Sequence, residues 1–153
     1  MRCAMDHYVE RPEVVVLRVR ADMRGKGPAE AMSRLEAKLP TRTGRRFYGA
    51  FRVLPEGEEY FACVERDPTD EPDRMGLEVG AIPGGLYGRR KLLDWEKLIA
   101  TGDLGRHFQE IIRTHDFDAS RPEIEFYRSL TELQILVPVR SRTDTPPRST
   151  DPP

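Results

Sequence analysis

RPEIEFYRSLTELQILVPV, residues 121–139, reads as two consecutive strands. In the first, Ile124 and Phe126 point one way while Glu123, Glu125 and Tyr127 point the other, because side chains alternate faces along an extended chain. In the second, Leu133, Ile135 and Val137 share one face, and Glu132, Gln134 and Leu136 share the opposite one. Residues 128–131 are all that is left to turn the chain. A carboxylate between aromatics, on a strand with apolar neighbours, is either an edge charge in water or the floor of a pocket. Alternation alone leaves both open.

Working outward, the 153 residues suit one domain with a proper core. Hydrophobic residues make up 38% and charged residues 33%, and the net charge of −1 creates no field for nucleic acid or anionic membranes. The basic clusters Arg45-Arg46 and Arg89-Arg90-Lys91 read as solvated strand ends and rim. No apolar run reaches bilayer length, and no signal-peptide core stands at the N-terminus. The expectation is a cytoplasmic protein without a direct nucleic-acid or membrane partner. Cys3 falls in a loose N-terminus and Cys63 in an apolar strand, which favours a buried thiol over a disulfide. His107 and His115 lie on one helix about 12 Å apart along its axis, too far for one metal. No metal or cofactor is expected.

Residues 14–21 (VVVLRVRA) are β-branched and form a strand, after a polar lead-in over residues 1–12. Pro28 opens a helix over residues 29–39, with Met32, Leu35 and Leu39 on one stripe and Glu30 paired to Arg34. Residues 47–53 and 59–66 form a hairpin around Pro55-Glu56-Gly57. Residues 67–74 are an acidic, proline-broken linker. Residues 76–92 then form a long strand, bulged or kinked at Pro83-Gly84-Gly85. A helical turn over residues 94–100 brings Trp95 and Leu98 inward. Asp103 caps a helix over residues 104–114, with Leu104, Phe108, Ile111 and Ile112 on its stripe. The order strand, helix, strand, strand thus occurs twice, over about 13–66 and 76–140. Two such units, each unable to bury its sheet face alone, associate and leave a cleft at their junction. The expected fold is α+β, an antiparallel sheet with two helices and a central cleft, within one domain over residues 1–140. Residues 141–153 (SRTDTPPRSTDPP) carry no apolar residue beyond proline and read as a disordered tail.

The segment LEVGAIPGGLYGRRKL, the helix after it, then RPEIEFY and LQILVPV resemble the GyrI-like small-molecule-binding fold. This is the effector-binding domain of multidrug-responsive and AraC-type regulators, also found standing alone. The resemblance implies pseudo-twofold strand–helix–strand–strand units around an aromatic cleft, with a buried glutamate that reads lipophilic aromatic cations. The family glutamate falls on Glu125, and the tyrosines fall on Tyr127 and Tyr87. Gln134 stands where many members carry a second glutamate. Members that resemble hydrolases of strained-ring toxins carry Trp-x-x-Glu on the second helix. Here Phe108 is followed by Ile111, and Trp95 by Leu98.

Three functions follow in order. The first is a stand-alone protein that senses or sequesters lipophilic, cationic aromatic molecules, with Glu125, Tyr127, Tyr87, Phe51 and Phe108 as candidate ligand-binding residues. The second is a hydrolase of reactive electrophiles in the same cleft, with Glu125 as general acid or base and Tyr127 as donor. The third is a protein–protein module of gyrase-inhibitor type. Tyr87 and Tyr127 also fit half-buried strand positions, and Phe51 and Phe108 fit plain core.

Overall fold

Pro12-Glu13 and Pro83-Gly84 govern how the sheet is wound. A proline has no N–H to give to a ladder, so a strand that meets one must pause or change partner. The computed structural model describes residues 6–142, with helices α1 (Gly27–Ala37), α2 (Pro72–Met75), α3 (Trp95–Thr101) and α4 (Asp103–Thr114). The strands are β1 (Asp6–Arg11), β2 (Val14–Arg20), β3 (Phe47–Leu54), β4 (Gly57–Glu65), β5 (Glu78–Ile82), β6 (Gly85–Leu93), β7 (Glu123–Tyr127) and β8 (Glu132–Pro138). They form one eight-stranded antiparallel sheet in the order β1-β6-β8-β7-β3-β4-β2-β5.

That order reads alike from either end. β2-β4-β3 answers β6-β8-β7, the two meet at the β3–β7 seam, and each half carries an edge strand that the other half supplies. β1 pairs with β6 (Arg11 opposite Gly85) and β2 with β5 (Val14 opposite Ile82), so both pairings lie on one ladder interrupted only at the two proline breaks. Since β1 runs into β2 within two residues, the sheet must curl until its ends meet. The crossing is tight. A side chain at Gly84 would meet the Glu13 amide nitrogen at 2.8 Å and the Arg11 carbonyl oxygen at 3.0 Å. Only glycine lets two backbones pass so closely.

Curling buries both faces. Leu17, Val19, Tyr60, Ala62 and Val64 pack under α1 with Ala31 and Leu35. Leu92, Leu133, Ile135 and Val137 pack under α4 with Leu104, Phe108 and Ile111. The opposite face, away from the helices, holds a core drawn from both halves, with Val16, Tyr48, Cys63, Ile82, Tyr87, Ile124, Phe126 and Leu136. The Cys63 thiol is free and buried, and burial pushes its pKa up to about 12, so it is inert. No helix among the described residues is long and apolar enough to cross a membrane.

The α+β antiparallel architecture agrees with the sequence reading, and four of its details are corrected. Residues 6–11 of the polar lead-in form a strand, because their partner is distant β6 and not a local hairpin. The end of the acidic linker, with Met75 after it, winds into a helical turn that Pro72 opens. The long strand over 76–92 is two strands with different neighbours, split at Pro83-Gly84. Arg90 is no solvated rim residue: it is 4% exposed beneath α4. Its guanidinium donates to Asp6 at 2.6 and 3.0 Å and to Glu110 at 2.6 Å, and lies 3.0 Å from His107 Nδ1. Cys3 and all but the first two residues of the expected tail lie outside the described residues.

Candidate functional site

The β3–β7 seam runs between the helices, and its helix-facing side is where the two halves leave space. Along that side β3 presents Phe47, Gly49 and Phe51, and β7 presents Glu123, Glu125 and Tyr127. Glu125 sits directly opposite Gly49 on one side and Ile135 on the other. The absent side chain at Gly49 makes the hole in which the Glu125 carboxylate rests. A Cβ there would collide with Glu125 Oε1 and with the hydroxyl of Tyr60, which reaches across from β4.

Two phenols converge on one oxygen. Tyr60 Oη donates to Glu125 Oε1 at 2.7 Å, and Tyr127 Oη donates to the same oxygen at 2.6 Å. Glu125 Oε2 has no hydrogen bond among the described residues. Burial raises the Glu125 pKa, and the two tyrosine donors only partly oppose that rise. Both phenols are held well above their ordinary pKa, first by burial and then by the charge of Glu125. They stay neutral donors at any physiological pH. Glu123, on the same strand face, is pushed up to about 7 by burial and by the charge of Glu125.

Above this floor opens a cavity of about 630 Å³. Its walls are Met32 and Ala29 of α1, Phe47 of β3, Trp95 and Ile99 of α3, and Leu104 at the start of α4. Trp95 is fixed by an edge contact to Tyr127, with ring centroids 5.1 Å apart, and by its indole N–H, which donates to the Ser129 carbonyl at 3.2 Å. Leu130, in the β7–β8 loop, stands 83% exposed at the mouth. Of the arginines at the rim, Arg42 lies 3.6 Å from Glu36 and Arg45 is 2.7 Å from Asp70, while Arg128 makes no ion pair among the described residues. The arrangement is an aromatic chamber with one half-buried carboxylate at the bottom.

Of the residues singled out from sequence, Glu125 and Tyr127 line this cavity. Tyr87 lies on the sheet's other face, where its hydroxyl donates to the Pro83 carbonyl and Arg121 stacks 4.9 Å from its ring. Phe51 faces the helices but packs into the core under α1. Phe108 is core under α4. Gln134 and Glu132 also lie on the face away from the cavity, since Gln134 pairs with Phe126. Tyr60, Trp95, Phe47 and Met32 also line the cavity and are not among the sequence candidates, Met32 and Trp95 being read there only as apolar packing. Tyr60 meets Glu125 only through the β3–β4 and β3–β7 registers.

No family model matches the chain, and no curated protein matches it in sequence. Solved structures do match it in fold. An integron cassette protein from the mobile metagenome of Vibrio cholerae aligns with a TM-score of 0.64 at 13% identity, over 89% of this chain and 95% of that one. SAV2435, solved bound to tetraphenylphosphonium, gives 0.59 at 10% identity over 90% and 94%. A hydrolase from Listeria innocua gives 0.54 at 13% identity over 90% and 92%. At these identities the likeness is one of fold.

Proposed function

We propose that the chain binds lipophilic aromatic cations in the Glu125 cavity, as a GyrI-like sensor or sequestering protein. The observation that carries this is the carboxylate itself, recessed under an aromatic chamber with its pKa raised and one oxygen unclaimed. A ligand that brings its own positive charge restores the ionised carboxylate and replaces the lost solvation. Trp95, Tyr127 and Phe47 add contacts between ring faces and the cation, worth about 0.5–2 kcal/mol each. The fold neighbour SAV2435 binds tetraphenylphosphonium, a cation of this class, which supports the reading.

The test is calorimetric titration of tetraphenylphosphonium and of neutral triphenylphosphine oxide into wild-type and Glu125→Gln protein. Losing one charge-assisted contact in a partly desolvated site is worth about 1.5–3 kcal/mol, so the cation should bind about 10- to 150-fold more weakly to the variant. The oxide should change by less than about threefold, since it depends on apolar area and stacking. Cation affinity should also climb with pH as Glu125 ionises, with a midpoint above the usual carboxylate range. Equal losses for both probes, or none for the cation, would sink the proposal.

The hydrolytic alternative has one observation in its favour. A carboxyl with raised pKa beside two neutral phenols is a plausible proton donor to a leaving oxygen. Turnover of an epoxide or aziridine probe well above background, abolished in Glu125→Gln, would promote it.

A further inference from the structure

Around the end of the β3–β7 seam, against the sheet face away from the helices and bordering the Glu125 cavity, lies a second recess of about 470 Å³. Its lining is Arg11, Gly44, Arg45, Arg46, Tyr48, Phe126, Tyr127 and Arg128, with no acidic side chain. Alternation explains the gathering. Arg46 and Arg128 share a face with Tyr48 and Phe126, and one step beyond the last paired residues, Phe47 and Tyr127, they come level across the seam. Like charges placed opposite one another on neighbouring strands are destabilising. Arg11 arrives from the end of β1 because the curled sheet closes there, and its guanidinium lies 5.5 Å from the Phe126 ring centre. Tyr48 and Phe126 stack beneath, with centroids 4.9 Å apart.

Compensation among these arginines is uneven. Arg45 is buried against Asp70 and also donates to the Glu65 carbonyl, so its role is structural. Arg46 has only a loose contact with Glu65 at 3.7 Å, and is itself well exposed. Arg11 and Arg128 make no ion pair among the described residues. In a chain of net charge −1 this is a local concentration of positive charge, not a reflection of overall composition.

We infer that this recess, which adjoins the Glu125 cavity at Arg45, Tyr127 and Arg128, is an anion site that takes a small molecule bearing a phosphate group. Arg11, Arg46 and Arg128 converge from three separate segments. A tetrahedral dianion offers oxygens in three directions, whereas a lone carboxylate engages a single guanidinium fork. The recess exceeds the size of a bare phosphate, and the edges of Tyr48 and Phe126 form its apolar base, so the ligand carries an organic group. The site stands on geometry and charge, and Arg11 and Arg46, which do not line the Glu125 cavity, set it apart in the test.

Phenyl phosphate is the probe, titrated calorimetrically at low salt. Saturable one-to-one binding is expected, displaced by inorganic phosphate and weakened at least about tenfold in Arg11→Gln and in the Arg11→Gln/Arg46→Gln double variant. Glu125→Gln should leave it within about twofold, and Arg11→Gln should leave tetraphenylphosphonium binding unchanged by the same measure. Arg11→Lys keeps the charge, loses the fork, and should lose most of the affinity with no fall in melting temperature. Phosphate should raise the melting temperature of the wild type and not that of the double variant. Absence of saturation by about 10 mM, a Kd weaker than any specific site needs, would overturn the assignment. So would equal affinity in the arginine variants, or loss in Glu125→Gln. A single-stranded oligonucleotide that outcompetes phenyl phosphate, and is lost in the same variants, would overturn the small-molecule class.

Discussion

Gly49 is the part of the Glu125 site least able to change. Its backbone is ordinary strand, so alanine costs nothing in conformation and would normally be neutral or better. Here the added methyl would occupy the space where Tyr60 Oη meets Glu125 Oε1. Gly49→Ala should therefore destabilise by about 1–3 kcal/mol in urea denaturation and reduce tetraphenylphosphonium affinity with it. Glu123 gives a second prediction, with a sign. Its pKa is 4.5 as a free side chain and about 7 in the folded protein. Between those values the folded state keeps a proton that the unfolded chain has released, so stability falls as pH rises through the window and levels off above it. Glu123→Gln removes that loss. It should gain about 1–2 kcal/mol over wild type near pH 8, after allowance for partial exposure, and nothing near pH 4. The period of two puts Glu125 and Tyr127 on one strand face, but their choice as site candidates rests on the family resemblance, because alternation does not say whether that face meets water or a cavity. Tyr60 and Trp95 were not legible as site residues, because strand register and a helix docked from elsewhere bring them in.

At the scale of elements, Arg90 ties three together. Asp6 is its cross-strand partner on β1, and Glu110 and His107 reach down from α4. Truncating it leaves Asp6 facing a largely buried void, so Arg90→Ala should cost about 3 kcal/mol and selectively loosen β1 in amide hydrogen exchange. Uniform loss of protection across the sheet would show that the network does not anchor β1 in particular. The helices α1 and α4 were readable from their stripes, and the Glu30–Arg34 pair is present at 2.7 Å. Asp103 begins α4, but its side chain makes no cap and accepts instead from Thr101 Oγ1 at 2.9 Å. β1 escaped because a polar six-residue segment before a proline looks like a loop until its distant partner is known. Arg90 was misread for the same reason: a charge in a basic run looks solvated, and only α4 overhead makes it buried.

For the molecule as a whole, the repeated element order was enough to give the antiparallel α+β architecture and the cleft between helices. The winding was not legible, because it rests on β1 pairing with β6 and β2 with β5, contacts between opposite halves. That exchange makes the two halves one cooperative unit. Thermal unfolding followed by far-ultraviolet circular dichroism and by Trp95 fluorescence should give coincident single transitions. Trp95 reports on the second half, while the circular dichroism averages both. Separate midpoints would mean that the halves melt independently and that the exchanged strands add little.

The crossing at Gly84 also has a consequence in time. Asp6 must find Arg90, and Val14 must find Ile82, before either proline break can seat against the other. These are among the most distant pairings in the chain, and the entropy of closing such loops is spent before any contact repays it. Each half pairs three strands of its own, so the crossing between the halves should form last. The same latch acts in reverse. Release of one edge strand should loosen the proline break against which the other is seated, without opening the other's ladder.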